Sequence, residues 1–140
     1  MALELNKIEK NIQFECIDIR EYKKSNYFDI IISNPPYMDD NGKKINENEH
    51  KAISRHEIKL SLSELISNAK RLLKPIGLLF FIHRTHRLVE IIKALDKNNF
   101  SVKKIIFIYS ARNNKSTMVF VEAIKGKKVK LEIQNYYIYH

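Results

Sequence analysis

The chain has 140 residues, of which 44% are hydrophobic and 29% are charged, and its formal net charge is +9. This length and composition suit one domain over residues 1–140 and exclude global disorder. The longest apolar runs have the length of strands, and the N-terminus is charged where a signal peptide would be apolar, so we expect a cytoplasmic protein. The single cysteine, Cys16, excludes an internal disulfide, and no cysteine or histidine spacing predicts a metal site.

The first half of the chain alternates strand and helix patterns. Residues 1–10 have the apolar spacing of a helix end, and alternating apolar residues predict a strand over Ile12–Ile17. The continuous apolar run Phe28–Ser33 predicts a strand buried on both faces. The polar stretch Met38–Arg55 is too long for an ordinary connection, and helical spacing then continues from Ile58 to Leu73.

The second half predicts a strand, a helix and a closing hairpin. Leu78–Ile82 is a short apolar run, and His86–Asn98 has helical spacing. Two β-branched and aromatic runs, Lys103–Tyr109 and Thr117–Ile124, are joined by a polar turn and predict an antiparallel pair, with a last strand within Val129–Tyr139. The order of elements predicts an α/β sheet covered by helices on both faces, in which ligands bind beyond the carboxyl ends of the strands.

Positive charge is concentrated towards the C-terminus. Eight basic residues and one acidic residue lie between Lys103 and Lys130. This excess favours a polyanionic partner, and nucleic acid ahead of a membrane, because no basic amphipathic helix carries the charge. If this segment binds a nucleic acid, we expect the lysines of the hairpin on one exposed face near residues Asn34–Tyr37. A general lysine-rich composition is the alternative, and charge alone does not decide between the two.

The end of the Phe28–Ser33 strand carries the most informative motif, Asn34, Pro35, Pro36 and Tyr37. Consecutive prolines stiffen the backbone, so the amide oxygen of Asn34 and the carbonyl of Pro35 form an acceptor pair suited to an exocyclic amine. An aromatic ring such as that of Tyr37 can stack on a base, worth roughly 1–3 kcal/mol. Together these groups suit N-methylation of a nucleobase. A rigid turn beside a buried tyrosine is the alternative.

The Asn34–Tyr37 motif resembles the (D/N/S)PP(Y/F) signature of amino-methyltransferases that use S-adenosylmethionine. Further segments resemble the bacterial tRNA adenine-N6 methyltransferases that modify valine tRNA, and they are residues 52–57, 71–75, 83–84 and 121–126. The resemblance covers nearly the whole chain. It implies a Rossmann-like class I methyltransferase sheet that ends in an antiparallel hairpin, with S-adenosylmethionine as cofactor and tRNA as partner.

The resemblance also implies roles for individual residues. Asp18, with the Ile19 backbone beside it, matches the position that binds the adenine amine of the cofactor. The residues assigned to catalysis are Asn34, Pro35, Pro36 and Tyr37, and those assigned to the cofactor are Asp18, Ile19 and Asn34. A helix cap or a solvated strand end is the alternative for Asp18.

Two further pairs of residues are weaker candidates. Arg55 and His56 match positions that would line the substrate loop, with a purely local structural role as the alternative. His83 and Arg84 end a predicted strand, where their side chains could face the active-site crevice or bind a phosphate.

The glycine content departs from the family. The chain holds three glycines, Gly42, Gly77 and Gly126, and none precedes Ile12–Ile17, where family members carry a glycine-rich cofactor loop. Ile76 also stands where the family has the first glycine of a Lys-Pro-Gly-Gly segment. We therefore expect an N-terminally truncated domain whose strand Phe28–Ser33 has an open apolar edge. A second copy of the chain or a separate N-terminal piece could pair there.

Three functions are compatible with these patterns. The first is methyl transfer from S-adenosylmethionine to the N6 amine of adenine in tRNA. The second is nucleic-acid binding without catalysis, which would need only Tyr37 and the basic hairpin, and the third is an oligomerisation module without a ligand. Binding of S-adenosylmethionine to the purified chain would separate the first from the other two.

Overall fold

The computed structural model describes residues 11–36, 60–110 and 115–138. One five-stranded sheet is formed by β1 (Phe28–Ser33), β2 (Leu73–Arg84), β3 (Phe100–Tyr109), β4 (Met118–Lys125) and β5 (Glu132–Tyr137). Helix α1 (Leu62–Leu72) precedes β2, and a 3₁₀ turn at Thr85–Arg87 leads into helix α2 (Leu88–Lys97). The predicted α/β class, the antiparallel pair and the last strand are confirmed. The predictions for residues 1–10 and for Met38–Arg55 fall outside the described residues.

The strand directions define two edges of the sheet. The spatial order is β1-β2-β4-β3-β5. β1 runs parallel to β2, with Ser33 beside Phe81, and β4 runs antiparallel to β2, with Met118 beside Arg84. The ends of β1 and β2 and the start of β4 therefore share one edge, which we call the carboxyl edge. The end of β4 lies at the opposite edge.

Helix α1 begins at a capping box. The hydroxyl of Ser61 accepts a hydrogen bond from the Glu64 N–H at 3.1 Å, and the Glu64 carboxylate accepts one from the Ser61 N–H at 2.8 Å. These reciprocal bonds satisfy two donors that would otherwise be unpaired at the helix start. No helix in the described residues has both the length and the apolar character needed to cross a membrane.

Both described helices pack on the same face of the sheet. Ile66 of α1 and Ile91 of α2 are fully buried in one core with Phe81 and Val121, which lie on β2 and β4. Helices were expected on both faces, and the described residues cover one of them. The opposite face carries apolar side chains, including the Phe80 and Phe120 rings, whose centroids lie 5.9 Å apart. We call it the open face.

Strand β1 is less buried than its sequence predicts. Ile30 and Ile32 point to the open face and are 52% and 79% exposed, so the prediction of burial on both faces is wrong. Within the described residues β1 pairs with β2 alone. A continuous apolar run indicates that a strand can be buried on both faces. Whether it is buried depends on the other strands and helices that pack against it, which the local sequence does not reveal.

The predicted strand Ile12–Ile17 is absent from the structure. Residues 12–17 have no regular secondary structure and are exposed. Alternation of apolar side chains favours a strand only where another strand accepts and donates its backbone hydrogen bonds. The part of the chain that the structure describes supplies no such neighbour for this segment, so the prediction fails for lack of a partner.

Strand β2 makes a short excursion at its start that places Ile76 in a strained conformation. The register passes from Phe28 beside Leu73 to Ile30 beside Leu78, which leaves the residues between Leu73 and Leu78 outside the ladder. Ile76 has a φ of 59° and is 65% exposed. This left-handed conformation costs roughly 1–2 kcal/mol for a residue with a Cβ atom. The methyltransferases that the sequence resembles have a glycine at this position, which would avoid the strain.

Replacing Ile76 with glycine should therefore stabilise the protein. Relief of the strain outweighs the greater entropy of glycine in the unfolded chain, so we expect the free energy of unfolding to rise by roughly 0.5–1 kcal/mol. The adjacent Gly77→Ala variant is the matched control and should lose about 1–3 kcal/mol. Its Cβ would lie 2.9 Å from the Lys74 carbonyl oxygen and 3.2 Å from that of Asp29. Urea denaturation measures both, and a loss of stability in Ile76→Gly would contradict the strain.

Candidate active site at the carboxyl edge of the sheet

The Asn34–Pro36 segment lies at the carboxyl edge, directly after β1. Asn34 and Pro36 are exposed, whereas Pro35 between them is buried. Because Pro35 has a fixed φ and is held in the protein interior, the segment is stiff and presents Asn34 at the surface. Tyr37 falls outside the described residues, as do Arg55 and His56, so base stacking on Tyr37 stays a prediction.

An open cleft of about 520 Å³ runs along the outer side of β1. Its walls come from the segment before β1 and from β1 itself, and they include Glu15, Ile17, Ile19, Ile30 and Ile32. Ile19 is thus the predicted cofactor residue that faces this cleft. Asp18 and Asn34 are not among its lining residues, so the structure does not gather the three into one cavity.

Asp18 is engaged by a neighbouring arginine. Its Oδ1 accepts hydrogen bonds from the backbone N–H and Nε of Arg20, both at 2.9 Å, and its Oδ2 accepts one from Nη2 at 2.5 Å. The pKa of Asp18 is lowered to about 2, most strongly by the hydrogen bonds from the Arg20 side chain and next by the bond from its backbone N–H. The carboxylate is therefore ionised at neutral pH. It is the right type of acceptor for an adenine amine, which would have to share it with Arg20.

The Arg71 side chain of helix α1 binds three backbone carbonyls of the segment around Ile19. Arg71 donates from Nη2 to the Ile19 carbonyl at 3.0 Å, and from Nη1 to the Tyr22 and Lys24 carbonyls at 2.6 Å each. Arg71 thereby positions the whole segment that carries Asp18. No local sequence pattern marks this role, because the bonded residues lie 47 to 52 positions apart.

His83 and Arg84 end β2 at the carboxyl edge and have different environments. His83 is 3% exposed, and its Nδ1 accepts the Arg84 N–H at 2.9 Å. Burial is the largest cause that lowers the pKa of His83, and the positive charge of Arg87 is the next. The imidazole is therefore neutral at pH 7. His83 shares the helix-covered face with Phe81, whereas Arg84 is exposed. Of this pair, Arg84 is the residue that a nucleic acid at the edge could reach.

The lysines at the start of β3 and around the end of β4 do not converge on the candidate active site. Lys103 pairs with buried Glu122 at 2.9 Å, and Lys125 donates to the Leu73 carbonyl at 2.6 Å. Lys127 and Lys128 follow the end of β4 and lie at the edge opposite Asn34. The expectation that the hairpin lysines lie near the site is therefore wrong for these lysines, whereas Lys115, just before β4, lies at the carboxyl edge. The physical reason is that antiparallel pairing with β2 carries the end of β4 away from the carboxyl edge.

A model of the Eco57I restriction-modification methylase family matches residues 2–120. The chain belongs to this family. Membership confirms the resemblance to S-adenosylmethionine-dependent methyltransferases of the adenine-N6 type.

Two curated relatives carry the name tRNA1(Val) (adenine(37)-N6)-methyltransferase. The protein from Aliivibrio fischeri is 28% identical over 105 residues, which cover 75% of this chain and 44% of that protein. The protein from Phocaeicola vulgatus is 36% identical over 69 residues, which cover 49% and 29% respectively. The chain thus spans less than half the length of either relative.

Solved structures show the same fold at low identity. The predicted O-methyltransferase Atu636 from Agrobacterium tumefaciens aligns with a TM-score of 0.60 at 24% identity, over 83% of this chain and 45% of that protein. TTHA0409 of Thermus thermophilus, a candidate DNA modification methylase complexed with S-adenosyl-L-methionine, aligns with a TM-score of 0.51 at 14% identity, over 80% and 53%. These likenesses confirm the Rossmann-like methyltransferase fold.

Proposed function

We propose that this chain acts in the transfer of a methyl group from S-adenosylmethionine to the N6 amine of adenine in tRNA. The observation that carries this proposal is the Asn34–Pro36 segment, where a buried proline holds an exposed asparagine at the carboxyl edge beside β1. The names of the two curated relatives support adenine in tRNA as the substrate. Nucleic acid as the partner class follows from the same relatives.

The residues at the end of β1 are suited to hold the target amine. The amide oxygen of Asn34 and the carbonyl oxygen of Pro35 can each accept one N–H of an exocyclic amine. Binding both hydrogens weakens conjugation of the nitrogen lone pair with the ring and directs it at the reacting carbon. The bound cofactor supplies an electrophilic methyl group on a sulfonium sulfur. The proton that the amine loses after the transfer passes to solvent, since Asn34 has no basic group.

The described residues fit one end of this cofactor. Asp18, an ionised carboxylate with Arg20 as its partner, would hold the adenine amine, and the Ile19 backbone lies beside it. Residues 11–36, 60–110 and 115–138 contain two glycines, Gly77 and Gly126, and no glycine-rich loop to hold the methionine end. The rest of the site is therefore proposed to come from a further segment or a second copy that pairs with the open edge of β1.

Adenine in DNA is the second candidate substrate, because the family model is that of a restriction-modification methylase. The deciding assay uses a chimera in which the N-terminal part of the Aliivibrio fischeri relative precedes this chain. It is incubated with radiolabelled S-adenosylmethionine and either a valine tRNA transcript or single-stranded DNA of the same sequence. Mass spectrometry of the nucleosides should identify N6-methyladenosine in the tRNA. Label in DNA alone would assign DNA as the substrate, and label in neither would contradict the proposal.

A further inference from the structure

A rim of basic residues lies at the carboxyl edge. It is separate from the turn after β4 that carries Lys127 and Lys128, which we call the lysine-rich turn. We propose that this basic rim, formed by Arg84, His86 and Lys115, contacts the phosphate backbone of the nucleic acid whose adenine is held at Asn34. The inference rests on the proposed function and names the surface through which the substrate binds. All three rim residues are exposed.

Hydrogen bonds between two segments assemble the rim. The N–H of Thr85 donates to the Thr117 carbonyl at 3.0 Å, and the Thr85 hydroxyl lies 3.1 Å from that of Ser116. Ser116 in turn donates to the Ile108 carbonyl at 2.9 Å, at the end of β3. Thr85 is flanked by Arg84 and His86, and Ser116 by Lys115. These bonds therefore bring the basic side chains of the two segments to one part of the surface.

The rim lies beside the candidate active site. Ser33, the last residue of β1, is in register with Phe81, three residues before Arg84 on the adjacent strand. With strands about 4.8 Å apart and a rise of about 3.3 Å per residue, the Cα of Arg84 is roughly 11 Å from the end of β1. A nucleotide held at Asn34 would place its neighbouring phosphates within reach of the long side chains of the rim.

Glu90, the acidic residue nearest to the rim in sequence, does not neutralise the positive charge of the rim. Glu90, in the first turn of α2, is bound by the guanidinium of Arg87 through Nε at 2.9 Å and Nη2 at 2.5 Å. The two charges of this pair offset each other. Arg84 and Lys115 keep the rim positive, which favours a phosphate over a neutral or cationic ligand.

The lysine-rich turn serves as the natural control surface. Lys127 and Lys128 follow the end of β4, whose eight residues span roughly 24 Å from the carboxyl edge to the opposite edge. A short nucleic acid bound at Asn34 would not reach both surfaces. The two pairs of basic residues can therefore be neutralised separately, with the same change in net charge.

The test compares Arg84→Gln/Lys115→Gln with Lys127→Gln/Lys128→Gln in the 140-residue chain, without cofactor. The affinity for an RNA stem-loop with an unpaired adenine is measured between about 50 and 200 mM salt. Removing two phosphate contacts should reduce the slope of log affinity against log salt by about 1.4 in the rim variant, as about 0.7 is lost per contact to a single strand. The lysine-turn variant should keep the wild-type slope. Equal reductions, or a larger one in the lysine-turn variant, would overturn the inference.

Two additions keep the result interpretable. Lys115→Gln alone changes an exposed turn residue, so folding is preserved, and it should reduce the slope by about 0.7. Single-stranded DNA of the same sequence should show the same reductions, because phosphate contacts do not depend on the sugar; a change with RNA alone would overturn backbone recognition. If the chimera methylates tRNA but the rim variant keeps the wild-type salt slope, the rim does not bind phosphate and the proposed function still stands. If the rim variant has a reduced salt slope but the chimera does not methylate, the rim is supported and the proposed function is contradicted.

Discussion

Replacing Asn34 with alanine in the full-length chimera should lower methyl transfer by at least about a hundredfold, since a positioned hydrogen bond in the reacting complex contributes on this scale. Binding of S-adenosylmethionine should stay within about tenfold of the parent protein. The reason is that Asn34 mainly holds the target amine, whereas Asp18 lies in the segment proposed to hold the cofactor. Single-turnover kinetics measures the first quantity and calorimetry the second.

A matched variant separates this role from general damage to the protein. Asn135 is an exposed asparagine on β5, at the far side of the sheet from β1. Asn135→Ala should leave both turnover and cofactor binding unchanged. If Asn34→Ala lowered cofactor affinity and turnover by the same factor, the residue would be a cofactor ligand and the role assigned to it would be wrong.

The 140-residue chain alone should bind S-adenosylmethionine at least about a hundredfold more weakly than the chimera, because the few contacts available cannot offset an association cost of several kcal/mol. Both oxygens of Asp18 already accept hydrogen bonds from Arg20. The cleft along β1 is open where a further strand would complete the site. Calorimetry on the two proteins measures the difference, and a micromolar dissociation constant for the monomeric chain would contradict the proposed completion.

The edge of β1 can be tested in the same experiment. Adding the N-terminal part of the Aliivibrio fischeri relative as a separate polypeptide should restore cofactor binding to the chain. Ile32→Lys should prevent this, because Ile32 is 79% exposed in the cleft wall and a buried lysine would be unpaired at the new interface. Val89→Lys, at a residue 65% exposed on α2, is the control and should not interfere. Equal effects of both variants would exclude the β1 edge as the docking surface.

Local sequence patterns predicted the elements well where each element carries its own signal. The apolar spacing between Ile58 and Leu73 predicts α1, and the paired β-branched runs predict β3 and β4. The predicted helix within 86–98 is confirmed as α2, with a 3₁₀ turn before it. These signals depend on residues a few positions apart, which is why the sequence alone reveals them.

Features that depend on distant neighbours were not predictable in this way. The alternation in Ile12–Ile17 does not tell whether a second strand is present to pair with it. The site of Lys127 depends on the direction of β4 relative to β2, and a count of charges contains no information on direction. The candidate site shows the same limit, since the Asn34–Tyr37 motif identifies the chemistry, whereas the Arg20 contact to Asp18 is visible only in three dimensions.

The attachment of three backbone carbonyls to the one guanidinium of Arg71 has a consequence for the order of folding. Ile19, Tyr22 and Lys24 share this donor, so their attachments to α1 form and break together as one cooperative unit. Arg71 lies in the last turn of α1 and is presented to them only once that helix exists. During synthesis on the ribosome the segment that carries Asp18 emerges first, yet it must wait for roughly fifty later residues before it can dock. A segment that is synthesised before α1 thus reaches its native place only after α1 has formed.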